Sequence, residues 1–163
     1  MPDQPESNQI LSVINEAAAV YRGVIPPNCW HDPYMSIEAL LSDIEDGVHF
    51  IGRYHDKRLV AVMGIQHRGP VDLIRHAYVL PRYQRQGLGE ALISSCHALA
   101  RAPLLVGTWA SATWAIRFYQ KQGFRLTRLK ECQTLLKRYW QIPGYQAEVS
   151  VVLRYEGKSV PPR

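Results

Sequence analysis

Residues 83–92 read YQRQGLGEAL. Gly87 and Gly89 stand two positions apart behind the polar run Gln84, Arg85 and Gln86, and a helix-forming stretch follows. The start of a helix leaves backbone N–H groups unpaired and carries partial positive charge. A turn that lets a ligand approach that backbone closely suits a phosphate. Glycine at 87 and 89 keeps side chains out of the way, and Arg85 adds charge at the rim. The stretch therefore reads as an anion-binding turn that opens a helix.

The elements on either side set this turn in context. Just before it, LIRHAYVL (Leu73 to Leu80) has strong β-propensity and is ended by Pro81. Upstream, VHFIGRY and LVAVMGIQ read as two strands joined by a polar turn at Asp56–Arg58. Helices are expected over 8–21 and from an N-cap at Ser36 to about Glu45, with Gly47 as a stop. Downstream, the helix runs over 87–100, LLVGTWA is a buried strand, and a helix over 113–122 is capped by Gly123. FRLTRL reads as a strand, 131–139 as a short helix and AEVSVVLRY as a closing strand. The order α-α-β-β-β-α-β-α-β-(α)-β is that of one mixed α/β domain over 1–157, with 158–163 as a C-terminal tail.

Composition narrows the function classes. The chain has 163 residues, 47% of them apolar, and no apolar run of membrane-spanning length, so no membrane association is expected. MPDQPESNQI lacks the basic start and apolar stretch of a signal peptide. Cys29, Cys96 and Cys132 are scattered with no CxxC pair. The expectation is a cytoplasmic protein without disulfides or a metal site. Residues 1–60 carry four Lys/Arg against nine Asp/Glu, and residues 61–163 fifteen against five. A basic half suits nucleic acid or a phosphorylated cofactor. The cations form no run of five and are not interleaved with aromatics, which argues against nucleic acid.

Three phosphate-loop patterns compete for the turn. The nucleoside-triphosphate loop needs GxxxxGK[ST], which is absent. The dinucleotide loop needs a third glycine, where Leu92 stands, and a strand immediately before the first. The third pattern is Gln/Arg-x-x-Gly-x-Gly/Ala after a strand ending in Val-x-Pro. Gln84 to Gly89 fits it, with Val79-Leu80-Pro81 as the strand end. A second segment, WAIRFYQKQGF (Trp114 to Phe124), carries Ala115, Ile116, Tyr119, Lys121, Gly123 and Phe124 in the order A-I-x-x-Y-x-K-x-G-F. With these two motifs, about thirty residues apart, residues 48–128 resemble the GNAT superfamily of acyl-CoA-dependent N-acetyltransferases.

The resemblance implies an α/β (α+β) fold: a central mixed, mostly antiparallel twisted sheet, helices on both faces and a splayed parallel strand pair. It implies acetyl-CoA as cosubstrate, with the pantetheine arm paired to the backbone of Val79 and Leu80. The pyrophosphate would meet the amides of Gln86, Gly87, Leu88, Gly89 and Glu90, with Gln84 and Arg85 beside it. Ala112 replaces an asparagine found in many members, and Ser111 is the polar neighbour expected to substitute. Tyr119 occupies the position of the proton donor to the departing thiolate, and Trp114 is expected to pack in the core.

The family's usual base, a glutamate on the strand before the turn, is missing. His76 is the titratable candidate on that strand, and a β-bulge would change the face it points to. Glu148, Asp72, Glu38 and His31 are weaker candidates. The acceptor implied is an amine of a small molecule or peptide, and the acidic balance of residues 1–60 would suit a cationic one. Trp30, Tyr34, Trp109, Tyr139 and Trp140 are candidate walls of its site. Many members are homodimers, although no residue here indicates one. An alternative reading is a catalytically silent acyl-CoA-binding domain acting as a sensor or interaction module.

Overall fold

The structure is a computed structural model that describes residues 4–157; the tail expected at 158–163 lies outside the described residues. Helices α1 (Ser7–Ala18) and α2 (Ile37–Glu45) precede three strands, β1 (His49–His55), β2 (Arg58–His67) and β3 (Asp72–Val79). Helix α3 (Leu88–Leu99), β4 (Leu104–Trp109), α4 (Thr113–Lys121) and β5 (Phe124–Leu126) follow. The chain then runs through α5 (Leu129–Tyr139), α6 (Gly144–Ala147) and β6 (Ser150–Tyr155). Ser36 caps α2 as expected, its Oγ accepting from the Ala39 N–H at 3.1 Å.

Two boundaries differ from the sequence reading. The strand read over 124–129 stops at Leu126, because α5 starts two residues earlier than expected, at Leu129. The closing strand begins at Ser150, since the residues before it wind into α6 behind Pro143.

The six strands are ordered β1-β2-β3-β4-β6-β5, and only β3 and β4 run parallel. Alternation along the strands divides the core between the two faces. Ala61, Met63, Ile65, Ile74 and Val106 pack with Leu92, Ile93 and Cys96 of α3 and Tyr119 of α4. On the opposite face, Val60, Val62 and Phe50 pack under α1 and α2, while Leu73 and Leu105 pack under Leu136 of α5. No helix among the described residues is long and apolar enough to cross a membrane.

Two irregularities in β3 shape the middle of the sheet. Its parallel pairing to β4 covers only Asp72–Leu104, Leu73–Leu105 and Ile74–Val106. Beyond that β4 pairs only with β6, so the sheet opens on the β3 side. The second is a bulge. Val62 pairs with Tyr78 and Gly64 with Arg75, so His76 and Ala77 stand against Met63 alone. His76 takes the extra position in the left-handed region, at φ 56°. Such a conformation costs a non-glycine residue about 1 kcal/mol or more and persists only where its surroundings hold it.

Candidate active site

The bulge decides which chamber each side chain of β3 serves. Strict alternation from Leu73 and Arg75 would send His76 to the α3/α4 face. The extra residue turns it instead to the α1/α2 face, where it stacks on Phe50 and meets Asp43 of α2. Ala77 and Val79 then pack toward the α3/α4 face, and Tyr78 and Leu80 toward α1 and α2.

A groove of about 730 Å³ runs along the α3/α4 face. Gln84, Arg85, Gly87, Leu88, Gly89 and Glu90 line one bank. Gly87 sits just ahead of α3 at φ 80°, a conformation glycine adopts without strain, and no side chain caps the helix. The helix opens with a bond from Ala91 N–H to Gly87 O, so the N–H groups of Leu88 and Gly89 precede its ladder. Gly89 has a different reason from the one its spacing suggests. A Cβ there would stand 2.9 Å from Cζ of Phe118, so glycine at 89 lets α4 close against α3.

The opposite bank is α4, with Trp114, Arg117, Phe118, Tyr119 and Lys121. Trp114 corrects an expectation: it is 43% exposed, lines the groove and stacks on Tyr21 rather than filling the core. Arg117 and Lys121 join the lining beyond the residues expected there. Their spacing of four on a helix, flanking Tyr119, is the signal that points them the same way.

Three residues expected at the cofactor stand apart from this lining. Leu80 is buried, its N–H donates to Val60 O, and its C=O accepts from the Tyr83 N–H. Its backbone is therefore already engaged. Since Leu80 and Val60 form a hydrogen-bonded pair, the next pair, Val79 and Ala61, does not, and the Val79 backbone groups face the open side of β3. The amide Nε2 of Gln84 meets the Val79 carbonyl there at 3.2 Å. Gln86 turns its side chain back to Arg82 O, and Ser111 lies in an exposed turn.

A smaller chamber of about 140 Å³ lies on the other face, walled by Tyr34, Trp109, Trp140 and Ile142 and reached by Arg75 and His76. Tyr21, Ala77, Tyr78 and Tyr119 line both spaces, so groove and chamber meet where β3 and β4 part. Trp30 reaches the chamber only through its ring contact with Tyr34, and Tyr139 packs behind Trp140. Burial pushes the phenols of Tyr21, Tyr34, Tyr78 and Tyr119 upward, Tyr21 to about 12, so all four keep their protons at neutral pH. The indole N–H of Trp109 donates to Tyr34 Oη at 3.1 Å.

Among the described residues lining the chamber, His76 is the one histidine, and there is no carboxylate. Burial lowers the His76 pKa below its ordinary 6.5, and the Asp43 bond offsets only part of that. The other candidate bases lie elsewhere. His31 and Glu38 are exposed, Glu148 follows α6, and the Asp72 carboxylate accepts from the Arg101 and Ala102 amides. Among the described residues, the acids of the first sixty do not line the chamber either. Asp32, Glu16 and Asp46 pair with Arg22, Arg58 and Arg68, and Asp43 is engaged by His76 and Arg75.

This arrangement, a mixed sheet split beside an uncapped glycine turn, defines an acyltransferase fold. Residues 46–126 match the model of the acetyltransferase (GNAT) domain, and the chain belongs to the GNAT superfamily. Among solved structures it is similar to an acetyltransferase from Streptococcus agalactiae, at 14% identity and TM-score 0.70, covering 94% of this chain and 95% of that one. It is also similar to the PaiA N-acetyltransferase of Thermoplasma acidophilum in complex with coenzyme A, at 16% identity, TM-score 0.68 and 91% of each chain. A GNAT family acetyltransferase from Elizabethkingia anophelis with acetyl-CoA bound matches at 22% identity and TM-score 0.57, covering 81% of this chain and 90% of that one. No curated protein sequence matches it.

Proposed function

We propose that the protein transfers an acetyl group from acetyl-CoA to the primary amine of a small molecule or of a peptide. The observation that carries this reading is the meeting of groove and chamber at Tyr119. The groove fits a long phosphorylated ligand. Its volume is about 730 Å³, the N–H groups of Leu88 and Gly89 stand at its helix end, and Arg85, Arg117 and Lys121 line it with positive charge. Acetyl-CoA, when bound, supplies the thioester and departs as coenzyme A. The two neighbours that hold coenzyme A or acetyl-CoA support the same assignment.

Residues of this chain divide the chemistry. The Val79 backbone pairs with the pantetheine arm as an added strand would. The new C–N bond forms as the C–S bond breaks. One proton passes from the amine to His76, and one from the Tyr119 phenol to sulfur. Both residues then recover their starting state by exchange with water. Burial keeps the Tyr119 phenol in its protonated form, the form a donor needs, and the thiolate's developing charge must draw the proton from it. Cys96 is no acetyl carrier, since burial pushes its thiol up to about 12, and transfer is direct.

The chamber limits the acceptor. A cavity of about 150 Å³ holds one benzene ring, so about 140 Å³ takes a single residue-sized group, with anything larger extending to solvent. The acidic attraction expected from residues 1–60 is not part of this proposal, because no carboxylate among the described residues lines the chamber.

A thermal-shift titration with acetyl-CoA, coenzyme A, ATP and NADH, followed by an amine and peptide screen, tests the reading. Stabilisation by the CoA ligands together with turnover of a small amine supports it. Stabilisation without turnover favours the silent acyl-CoA-binding domain, the reading to which the missing strand glutamate points. No stabilisation by either CoA ligand removes both.

A further inference from the structure

We infer that Asp43 is a positioning residue that fixes His76 in the tautomer with Nε2 protonated, and so makes Nδ1 the atom that accepts the proton of the amine. The inference rests on the transferase reading for its chemistry, and on geometry for its residues. Asp43 comes from α2, more than thirty positions before His76, and no motif links the two. The bulge of β3 brings them together. Nε2 of His76 lies 2.7 Å from Oδ2 of Asp43, and the ring stacks on Phe50 at 5.9 Å with 21° between the planes. The imidazole is thus held in its plane by one contact and across its plane by the other.

The charges around the pair decide the proton. Three groups face it: Asp43 from α2, Arg75 beside it on β3 and, one step further out, Arg68, which acts on Asp43. Arg75 stands 3.9 Å from the second oxygen of Asp43 and is itself anchored on Gln66 Oε1 at 2.8 Å. Burial alone would raise the Asp43 carboxyl. Its bond to His76 and the two guanidinium groups outweigh burial and hold it below the ordinary range. An ionised carboxylate only accepts hydrogen bonds, so Nε2 must carry the hydrogen. A buried imidazole that is neutral at pH 7 then has its lone pair on Nδ1. When Nδ1 takes a proton, Nε2–H stays on Asp43, and the imidazolium formed is paired with an anion already in place. In this way an aspartate and a histidine from different elements can do what the missing glutamate would have done on β3.

The test uses the intact protein and two readouts. Histidine-selective ¹⁵N labelling reports the tautomer without any acceptor, and His76→Gln identifies the His76 signal among the six histidines. The expected result is the Nε2–H form at pH 7–8 in the wild type and a mixture of tautomers in Asp43→Ala. The second readout is the pH profile of kcat for wild type and Asp43→Asn, which keeps the side-chain shape. The turnover number should fall roughly ten- to a hundredfold in Asp43→Asn, within the range that general base catalysis supplies, with acetyl-CoA affinity unchanged. Its acid limb should move to lower pH, because the anion that favoured the imidazolium is gone. An Nδ1–H form in the wild type, or an acid limb that does not move, overturns the inference. If no amine is turned over, the tautomer measurement still decides the Asp43–His76 relation, and it is the transferase reading that fails.

Discussion

A methyl group on residue 89 would stand 2.9 Å from Cζ of Phe118, across the seam between α3 and α4. Gly89 therefore couples two jobs, since the same closure of α4 narrows the groove beside the α3 N–H groups. Alanine at 89 gains about 1 kcal/mol of helix propensity, while forcing the ring aside costs about 1–3 kcal/mol. The expected net result is a modest loss of stability, with the Phe118 ring pushed into the groove. Gly89→Ala should weaken acetyl-CoA binding in a calorimetric titration, and adding Phe118→Leu should restore much of it. Additive losses in the double variant would mean that the two positions are not coupled.

Tyr119 lines both spaces and is buried, and its titratable neighbours are the phenol of Tyr21 and the thiol of Cys96. Tyr119→Phe keeps the ring and its packing against Phe124. Turnover should fall by about 10²-fold or more, while the dissociation constant for coenzyme A stays near the wild-type value. Loss of binding in place of turnover would make the hydroxyl a contact and not a donor.

Arg117 and Lys121 lie one helical turn apart on the groove bank. Their contribution to a phosphorylated ligand is electrostatic and exposed, so salt should screen it. Arg117→Ala and Lys121→Ala should each raise the KM for acetyl-CoA several-fold at low ionic strength, with kcat almost unchanged. The difference from wild type should shrink in 0.5 M salt. An effect that is the same at both ionic strengths would point to packing.

The Asp43–His76 pair also leaves a mark on stability. The folded pKa of His76 is depressed, so below about pH 6.5 the unfolded chain binds a proton that the folded chain refuses, and stability falls as the pH drops. Asp43 acts in the more acid range: its stabilisation is present above the ordinary carboxylate value and is lost as pH falls through its lowered one. Urea unfolding at pH 7.5 and pH 5.5 should show a smaller decline in His76→Gln than in wild type. Equal declines would mean that His76 is not buried in its neutral form.

The glycine turn and the element order are legible in the sequence because each rests on local chemistry, while Tyr119 is named by the resemblance of its motif. A helix start and a strand ended by proline depend on residues close in the chain. The Asp43–His76 contact is not of this kind, since it joins α2 to β3. Nor can the bulge be read from LIRHAYVL, which alternates as well with one register as with the other; the choice belongs to Met63 and the strand opposite. Trp114 departs from expectation for a related reason: its ring stacks on Tyr21, a neighbour distant in the chain. Leu80 shows the limit of a motif carried over residue by residue. The pattern names the strand end, but the ladder to Val60 decides that only Val79 keeps its backbone on the open side.

The parting of β3 and β4 also governs traffic. A site with one mouth imposes a queue, in which the second ligand waits behind the first and the products leave in reverse. Here the groove and the chamber are two spaces that share, among the described residues, only Tyr21, Ala77, Tyr78 and Tyr119. On the proposed transferase reading, each ligand could come or go while the other is seated, with neither order of arrival forbidden and no covalent store between half-reactions. Lines of initial rate against either ligand should then converge, and spent cosubstrate can be exchanged without emptying the acceptor side.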